Sequence, residues 1–328
     1  MHQPRQTLRV GLTAILLAVI FRLFDAGMPE MLLSRLRNSD TAAFFVYLET
    51  GRDVRFSPSF GTFSPAFMES PPASAPEPTE PEIPAFSGEE DVELYYACQV
   101  DPDIPSLLAR PLSWELRGEE PTVLILHTHS TESYTKTTET YKESASWRTL
   151  EEDYNMLSLG KLVREILEEN GIPTLQDREI HDYPSYNGSY AHARKSIRSY
   201  LEQYPSIKLV LDLHRDASGG ETGQMRTEAE VNGQASAQLM VVLGTNHAHY
   251  EENLSLALKL HTLLERKNPG ITRPLQLRSQ RFNQDLNPGV LIIEIGAAGN
   301  THPEAQTAAR ELANAIVALA KGTEQSNP

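Results

Sequence analysis

The chain has 328 residues, 40% of them hydrophobic, enough for a core spanning roughly 150 to 200 residues. Its formal net charge of −15 argues against a nucleic-acid partner, because neutralising phosphates needs a basic face that this composition does not supply. Cys98 is the sole cysteine, which excludes an intramolecular disulfide and any site of several thiolates, so a bound metal must draw on His and carboxylate.

At the N-terminus, Arg5 and Arg9 precede an uncharged run of 12 residues from Val10 to Phe21, followed by Arg22. A basic flank before such a run predicts a signal-anchor or transmembrane segment over residues 1–27. The N-terminus is then inside and the remainder lies on the extracytoplasmic side of the cell membrane. Residues 28–56 read as a juxtamembrane region, weakly helical over LLSRLRNSDTAAFFVYL. Residues 57–87 are dense in Pro, Ser and Glu without an apolar period, which predicts a disordered, solvated linker. Residues 88–118 regain some apolar character (Val92, Leu94, Tyr95, Leu107, Leu108) and read as a lead-in segment.

Residues 119–322 alternate regularly between strand and helix patterns, before a short tail at 323–328. Strand TVLIL runs up to His127, and DYNMLSLGKLVREILEEN carries a wide apolar helical face that stops at Gly171. Strand IPTL, a helix from about Ser189 to Tyr204 ended by Pro205, and strand KLVLDLH follow. GQMRTEAEVNGQASAQLMVVLG reads as two extended segments joined at Asn232 and Gly233, a dipeptide suited to a type I′ turn. A helix from Tyr250 to Arg266, a strand near PLQLRSQ, strand VLIIEIG and a helix from Pro303 to Ala320 complete the pattern. It predicts a three-layer α/β domain with a mostly parallel central sheet.

Three of the apolar strands stop at residues able to hold or use a metal, and α/β sheets place ligands just beyond the carboxyl ends of their strands. Strand TVLIL ends at His127 and His129, two apart, which extended geometry would direct to the same side. His129, farther into the loop, is the better ligand, leaving His127 to orient or contact substrate. Strand KLVLDLH ends at His214 among Asp212, Arg215 and Asp216, a polar crowd that suggests a site more than a core. A third, carboxylate ligand has two sources: Glu132 in the loop, or Glu151 and Glu152 at a helix entry, where acidic residues also commonly face the helix dipole. Glu294 lies within VLIIEIG, where a carboxylate must be paired, metal-linked or protonated. Such a group has the basicity wanted of a general base, and Gly296 and Gly299 allow a tight loop beside it. His247 and His249 precede a helix with Glu251 and Glu252 and read as a solvated helix entry.

HTHSTESY, EEDYNMLSLGKLVREI, DLHRDA, GTNHAHYEENL and RFNQDLNPGVLIIEIGAAGN, in this order, resemble the stage II sporulation protein P family over about Pro121 to Ala320. More distantly, the pattern is similar to zinc N-acetylmuramoyl-L-alanine amidases, with a strand-end His, a helix-entry Glu, a second strand-end His and a Glu in an E-x-G-x-x-x-N motif. The resemblance implies one zinc ion held by His129, Glu152 and His214, with Glu294 as catalytic base. Glu151 replaces Glu152 if the amidase spacing governs. HTHSTE departs from the amidase loop, which carries one His preceded by Gly, and this leaves His127 and Glu132 as ligands or substrate contacts, with Arg215 beside them. The implied reaction is hydrolysis of the amide between N-acetylmuramic acid and L-alanine in peptidoglycan. The resemblance further implies cleavage of peptide crosslinks and a part in sporulation engulfment with stage II sporulation proteins D and M. Two rival readings stand beside it: an exported zinc carboxypeptidase, in which Arg215 would bind a substrate carboxylate, and a non-catalytic wall-binding scaffold.

Overall fold

A computed structural model describes residues 86, 92–112, 115–135, 147–220 and 223–325. The expected membrane segment, the juxtamembrane region and all of the linker except Phe86 lie outside the described residues. Among the described residues, no helix is long and apolar enough to cross a membrane.

Seven strands form the central sheet: β1 (Leu94–Ala97), β2 (Val123–Leu126), β3 (Thr174–Gln176), β4 (Leu209–Asp216), β9 (Leu239–Gly244), β10 (Leu275–Arg278) and β11 (Val290–Ala297). Their order across the sheet is β1-β10-β9-β11-β4-β2-β3. Every neighbouring pair is parallel except β9 with β11. The exception follows from the connections. Between β4 and β9 come only two small hairpins, β5 (Gly219–Gly220) with β6 (Gly223–Gln224) and β7 (Ala229–Val231) with β8 (Gln234–Ser236). Without a helical crossover the chain re-enters at the end it left, so β9 runs against β4 and β11. The Asn232–Gly233 turn takes positive φ at both residues, as the dipeptide predicts, but it closes the separate β7–β8 hairpin and leaves β9 to the main sheet. The lead-in segment supplies the edge strand β1 and a short helix, α1 (Ile104–Ala109), so the sheet begins before residue 119.

Strand alternation divides the layers. Val123, Ile125, Leu209, Leu211, Leu213, Leu291, Ile293 and Ile295 face one side, in the core shared with α2 (Met156–Glu169), α4 (Tyr250–Lys267) and α5 (His302–Gln325). Leu124, Leu126, Val210 and Val290 face the other, against Ala193 and Ile197 of α3 (Ser189–Gln203). Beside α3, Met240, Val242 and Ile292 are covered by Tyr190 and by Phe282 of the β10–β11 connection instead of a second helix. The three layers are thus unequal, and His214 and Glu294 lie on the thinly covered face by the same alternation.

Helix α2 begins later than its sequence pattern implies. The Asn155 side chain accepts a hydrogen bond from Leu157 N at 3.0 Å, which makes Asn155 the N-cap. Glu152 to Tyr154 form a separate 3-10 turn before it. The helix presses close to β2 at Gly160, where an added Cβ would overlap His127 Nε2 and Gln176 Nε2. Gly→Ala in a helix ordinarily stabilises by about 1 kcal/mol. Here we expect Gly160→Ala to destabilise by about 1–2 kcal/mol through overpacking, read as a lower urea midpoint at unchanged slope; a raised midpoint would contradict the close packing.

Candidate active site

His214 and Glu294 are direct Cα partners in the parallel β4–β11 ladder, so their side chains emerge side by side. Asp212 precedes His214 by one alternation on the same face. Beyond Glu294 the ladder slips, and Gly296 takes φ +67, where an added Cβ would also meet Ala237 and Asn300. Asn300 holds this bulge: its Oδ1 accepts from Ala297 N at 3.0 Å and Thr227 N at 3.1 Å, while its Nδ2 donates to Thr227 O at 2.7 Å. Solvent reaches part of Glu294, but its Oε2 is buried without a hydrogen-bond partner. Burial pushes the Glu294 carboxyl up to about 8, with Glu132 and Asp216 adding to the rise and His214 opposing it.

The HTHSTE loop is buried from His127 to Glu132 and pinned by its own side chains and backbone. Asp212 accepts from Thr128 N at 2.8 Å and from Thr128 Oγ1 at 2.6 Å. Asp182 does the same for Thr131, at 3.2 and 2.7 Å, and pairs with Arg148 at 2.5 Å. Ser130 Oγ donates to His127 O at 2.8 Å. A turn closed by Glu132 N donating to His129 O at 3.1 Å brings the Glu132 carboxylate back toward His214. Glu132 Oε2 lies 3.6 Å from His214 Nδ1 and accepts from Arg215 N at 3.2 Å; Oε1 lies 3.4 Å from Arg148 and 3.5 Å from the Arg215 guanidinium. Burial alone would raise its pKa, but Arg215, His214 and Arg148 together hold it well below the usual carboxylate range. Burial would likewise lower the His214 pKa, yet Asp212 and Glu132 hold it well above the ordinary imidazole value. His214 Nε2 sits 3.0 Å from Asp212 Oδ1 but lacks hydrogen-bond alignment.

His129 meets His214 edge-on, with ring centroids 5.3 Å apart. It stacks on Tyr186 at 4.5 Å and meets the Tyr190 ring edge-on at 5.7 Å. Burial depresses its pKa to about 4, so the ring is neutral, and its Nδ1 is buried without a partner. His129, His214 and the Glu132 carboxylate are of the donor types that zinc takes, but their donor atoms are not all drawn within 4.8 Å of one another; among the described residues the group gathered that closely is Asp177, Glu179 and His181. The orphaned His129 Nδ1 and the orphaned Glu294 Oε2 are free to face such an ion, as is His214 Nδ1 on the side of Glu132, while His214 Nε2 faces Asp212.

Other sequence-selected residues lie elsewhere. Glu152 is half exposed in its 3-10 turn and ion-paired with Arg178, and Glu151 is exposed, because the Asn155 cap ends the helix short of both. The structure therefore brings Glu132, not Glu152, to the histidines. His127 does not share the side of His129, because β2 ends at Leu126 and the chain turns. Its ring packs toward Gly160, with Nε2 3.2 Å from Gln176 and Nδ1 3.4 Å from Leu213 O. Arg215, with its side chain 3% exposed, donates to Ser133 O at 3.2 Å and Trp147 O at 3.1 Å besides pairing with Glu132, so it is spent within the chain and cannot bind a substrate carboxylate. The carboxypeptidase reading loses its anchor.

Three residues escaped the sequence reading as members of the site, Arg148, Asp182 and Tyr190, while Asp212 was placed beside His214 without a role. Asp212 stands two positions before His214 on an alternating strand, whereas Arg148, Asp182 and Tyr190 come from distant segments with no local signal. Behind the loop, His181 Nε2 lies 3.0 Å from Asp177, and the Asp177, Glu179 and His181 ligand atoms lie within 4.8 Å of one another. This group braces the site: His181 N donates to Ser130 Oγ at 3.3 Å.

A profile of the stage II sporulation protein P family matches residues 72–317, and the chain belongs to that family. The stage II sporulation protein P of Bacillus subtilis (strain 168) is 27% identical over 221 residues, 64% of this chain and 54% of that protein. The chain thus spans about half the length of this curated relative. Among solved structures, it is similar to the N-acetylmuramoyl-L-alanine amidase AmiC2 of Nostoc punctiforme (13% identity, TM-score 0.39, 63% of this chain and 99% of that one). It is also similar to the CwlD amidase of Clostridioides difficile in complex with the GerS lipoprotein (12% identity, TM-score 0.39, 63% and 100%).

The buried carboxyl makes a pH prediction for the metal-free protein. Glu294 titrates near 8 when folded and near 4.5 when unfolded, so between these values the folded state binds more protons. Its contribution to stability therefore falls as pH rises from about 4.5 to 8 and is flat above. Glu294→Gln should remove that slope and raise the metal-free thermal midpoint most at pH 8 and above; equal shifts at pH 5 and pH 9 would contradict the assignment.

Proposed function

We propose that the chain is a zinc-dependent peptidoglycan hydrolase cleaving the amide between N-acetylmuramic acid and L-alanine of the stem peptide. The observation that carries this reading is the pairing of His214 with Glu294, whose buried Oε2 has no partner, beside His129 with its orphaned Nδ1. His129, Glu132 and His214 would hold the ion. When bound, the ion supplies Lewis-acid polarisation of the scissile carbonyl and acidifies a water. Glu294 takes the proton of the attacking water and later delivers it to the leaving nitrogen. Its buried position gives it the affinity to hold the proton between those steps. Asp212 keeps His214 oriented, as carboxylate partners of ligating histidines do. Membership of the sporulation family supports a role in engulfment, and with it cleavage of peptide crosslinks and partnership with stage II sporulation proteins D and M. The N-terminal run supports attachment to the cell membrane with this domain outside.

Two measurements test the site. Metal analysis should find about one zinc per wild-type chain, with Glu132→Gln losing it and Glu152→Gln retaining it; the reverse outcome restores Glu152 as the ligand. On purified peptidoglycan, the zinc-loaded chain should release stem peptides with a free L-alanine amine, and Glu294→Ala should slow this by about 10²–10⁴-fold. Zinc binding with no release by the wild type would instead establish a scaffold.

A further inference from the structure

The hydrolysis needs a donor for the negative charge that develops on the carbonyl oxygen, and the donors around His214 are largely committed. Arg215 is spent on Glu132, Ser133 and Trp147, and Arg148 on Asp182, Glu132 and Thr131. Thr128 and Thr131 are spent on Asp212 and Asp182. Tyr190 is different. Its ring lies nearly parallel to His214, with centroids 6.4 Å apart and an interplanar angle of 18°, and edge-on to His129 at 5.7 Å. It packs with Met240, Val242 and Ile292 on the sheet face that carries Glu294, and among the described residues no hydrogen bond to its hydroxyl is formed.

The surroundings hold this side chain in place. Asn283 Nδ2 donates to Tyr190 O at 2.8 Å, and Arg194, one turn along α3, makes paired hydrogen bonds to Asp285 at 2.7 and 2.6 Å and reaches Asn283 Oδ1 at 3.2 Å. Phe282 packs against the Tyr190 ring at 5.9 Å. Phe282 and Asn283 both adopt left-handed backbone, φ 50 and 62. Such geometry is uncommon for non-glycine residues and persists only where neighbours over-determine it. Here it lays the RFNQD segment across the open face beside α3 and against Tyr190.

We propose that Tyr190 is a catalytic residue whose hydroxyl donates a hydrogen bond to the oxyanion of the tetrahedral intermediate, an inference that rests on the hydrolase reading. The water oxygen forms a bond to the carbonyl carbon as the C=O π pair moves onto oxygen, and the water proton passes to Glu294. Collapse returns that pair to carbon, breaks the C–N bond and sends the Glu294 proton to the departing nitrogen. Tyr190 keeps its proton throughout.

The test compares zinc-loaded wild type and Tyr190→Phe on purified peptidoglycan, with inorganic phosphate as a tetrahedral oxyanion probe in calorimetric titrations. We expect kcat about 10²–10³-fold lower, KM within about twofold, zinc content unchanged and phosphate affinity about tenfold weaker. An active wild type matched by Tyr190→Phe overturns this role alone and leaves the hydrolase reading intact. A kcat loss accompanied by zinc loss, by a larger KM change or by unchanged phosphate affinity assigns Tyr190 to packing and also overturns it. A wild type as inert as Glu294→Ala overturns both.

Discussion

The site depends on the Asp212 carboxylate. One oxygen takes Thr128 N and the other Thr128 Oγ1, and the same group lies against His214 two residues along the strand. Charge-assisted hydrogen bonds of this kind are short and roughly twice as strong as neutral ones. They lock the HTHSTE loop to the end of β4, so that two segments 84 residues apart become one rigid surface. Remove that clamp, and neither the His129–His214 approach nor the return of Glu132 toward β4 is determined.

Around this clamp the molecule keeps an unusual density of buried charge. Asp212, Glu132 and Asp182 are all buried, and each is satisfied by cations or hydrogen-bond donors of the chain itself. Burying paired charges stabilises little, because desolvation offsets the attraction, but breaking one partner leaves a costly orphan. What such a network supplies is geometry. It contrasts with Glu294, whose Oε2 is left without a partner and whose proton affinity is raised by the same burial. The separation of roles follows from environment: a carboxylate compensated by arginines stays ionised and can ligate, while an uncompensated one can carry a proton.

The unequal covering of the sheet explains where chemistry can occur. Helices α2, α4 and α5 seal one face with a continuous apolar core. The other carries α3 over β2 and β4, and the RFNQD segment over β9 and β11. At the junction of these covers Tyr190, His129, His214 and Glu294 meet.

Much of this was legible in the chain. Apolar runs marked β2, β4 and β11, the period of DYNMLSLGKLVREILEEN marked α2, and alternation along LVLDLHRD put Asp212 and His214 on one face, because side-chain direction in a strand is a local property. Polar groups at the ends of these runs pointed to His129, His214 and Glu294 for the same reason. The choice between Glu132 and Glu152 was not local. It turned on an Asn155 cap that begins α2 three residues beyond Glu152, and on a turn that folds Glu132 back. The turning of His127 away from His129 depended likewise on where the β ladder stops. Arg148, Asp182 and Tyr190 reach the site through ion pairs, hydrogen bonds and ring contacts between segments tens of residues apart, and no periodicity records such contacts. Sequence pattern decided which faces and strand ends were polar; only three-dimensional packing decided which of those polar groups meet, because that depends on the sum of many weak long-range contacts.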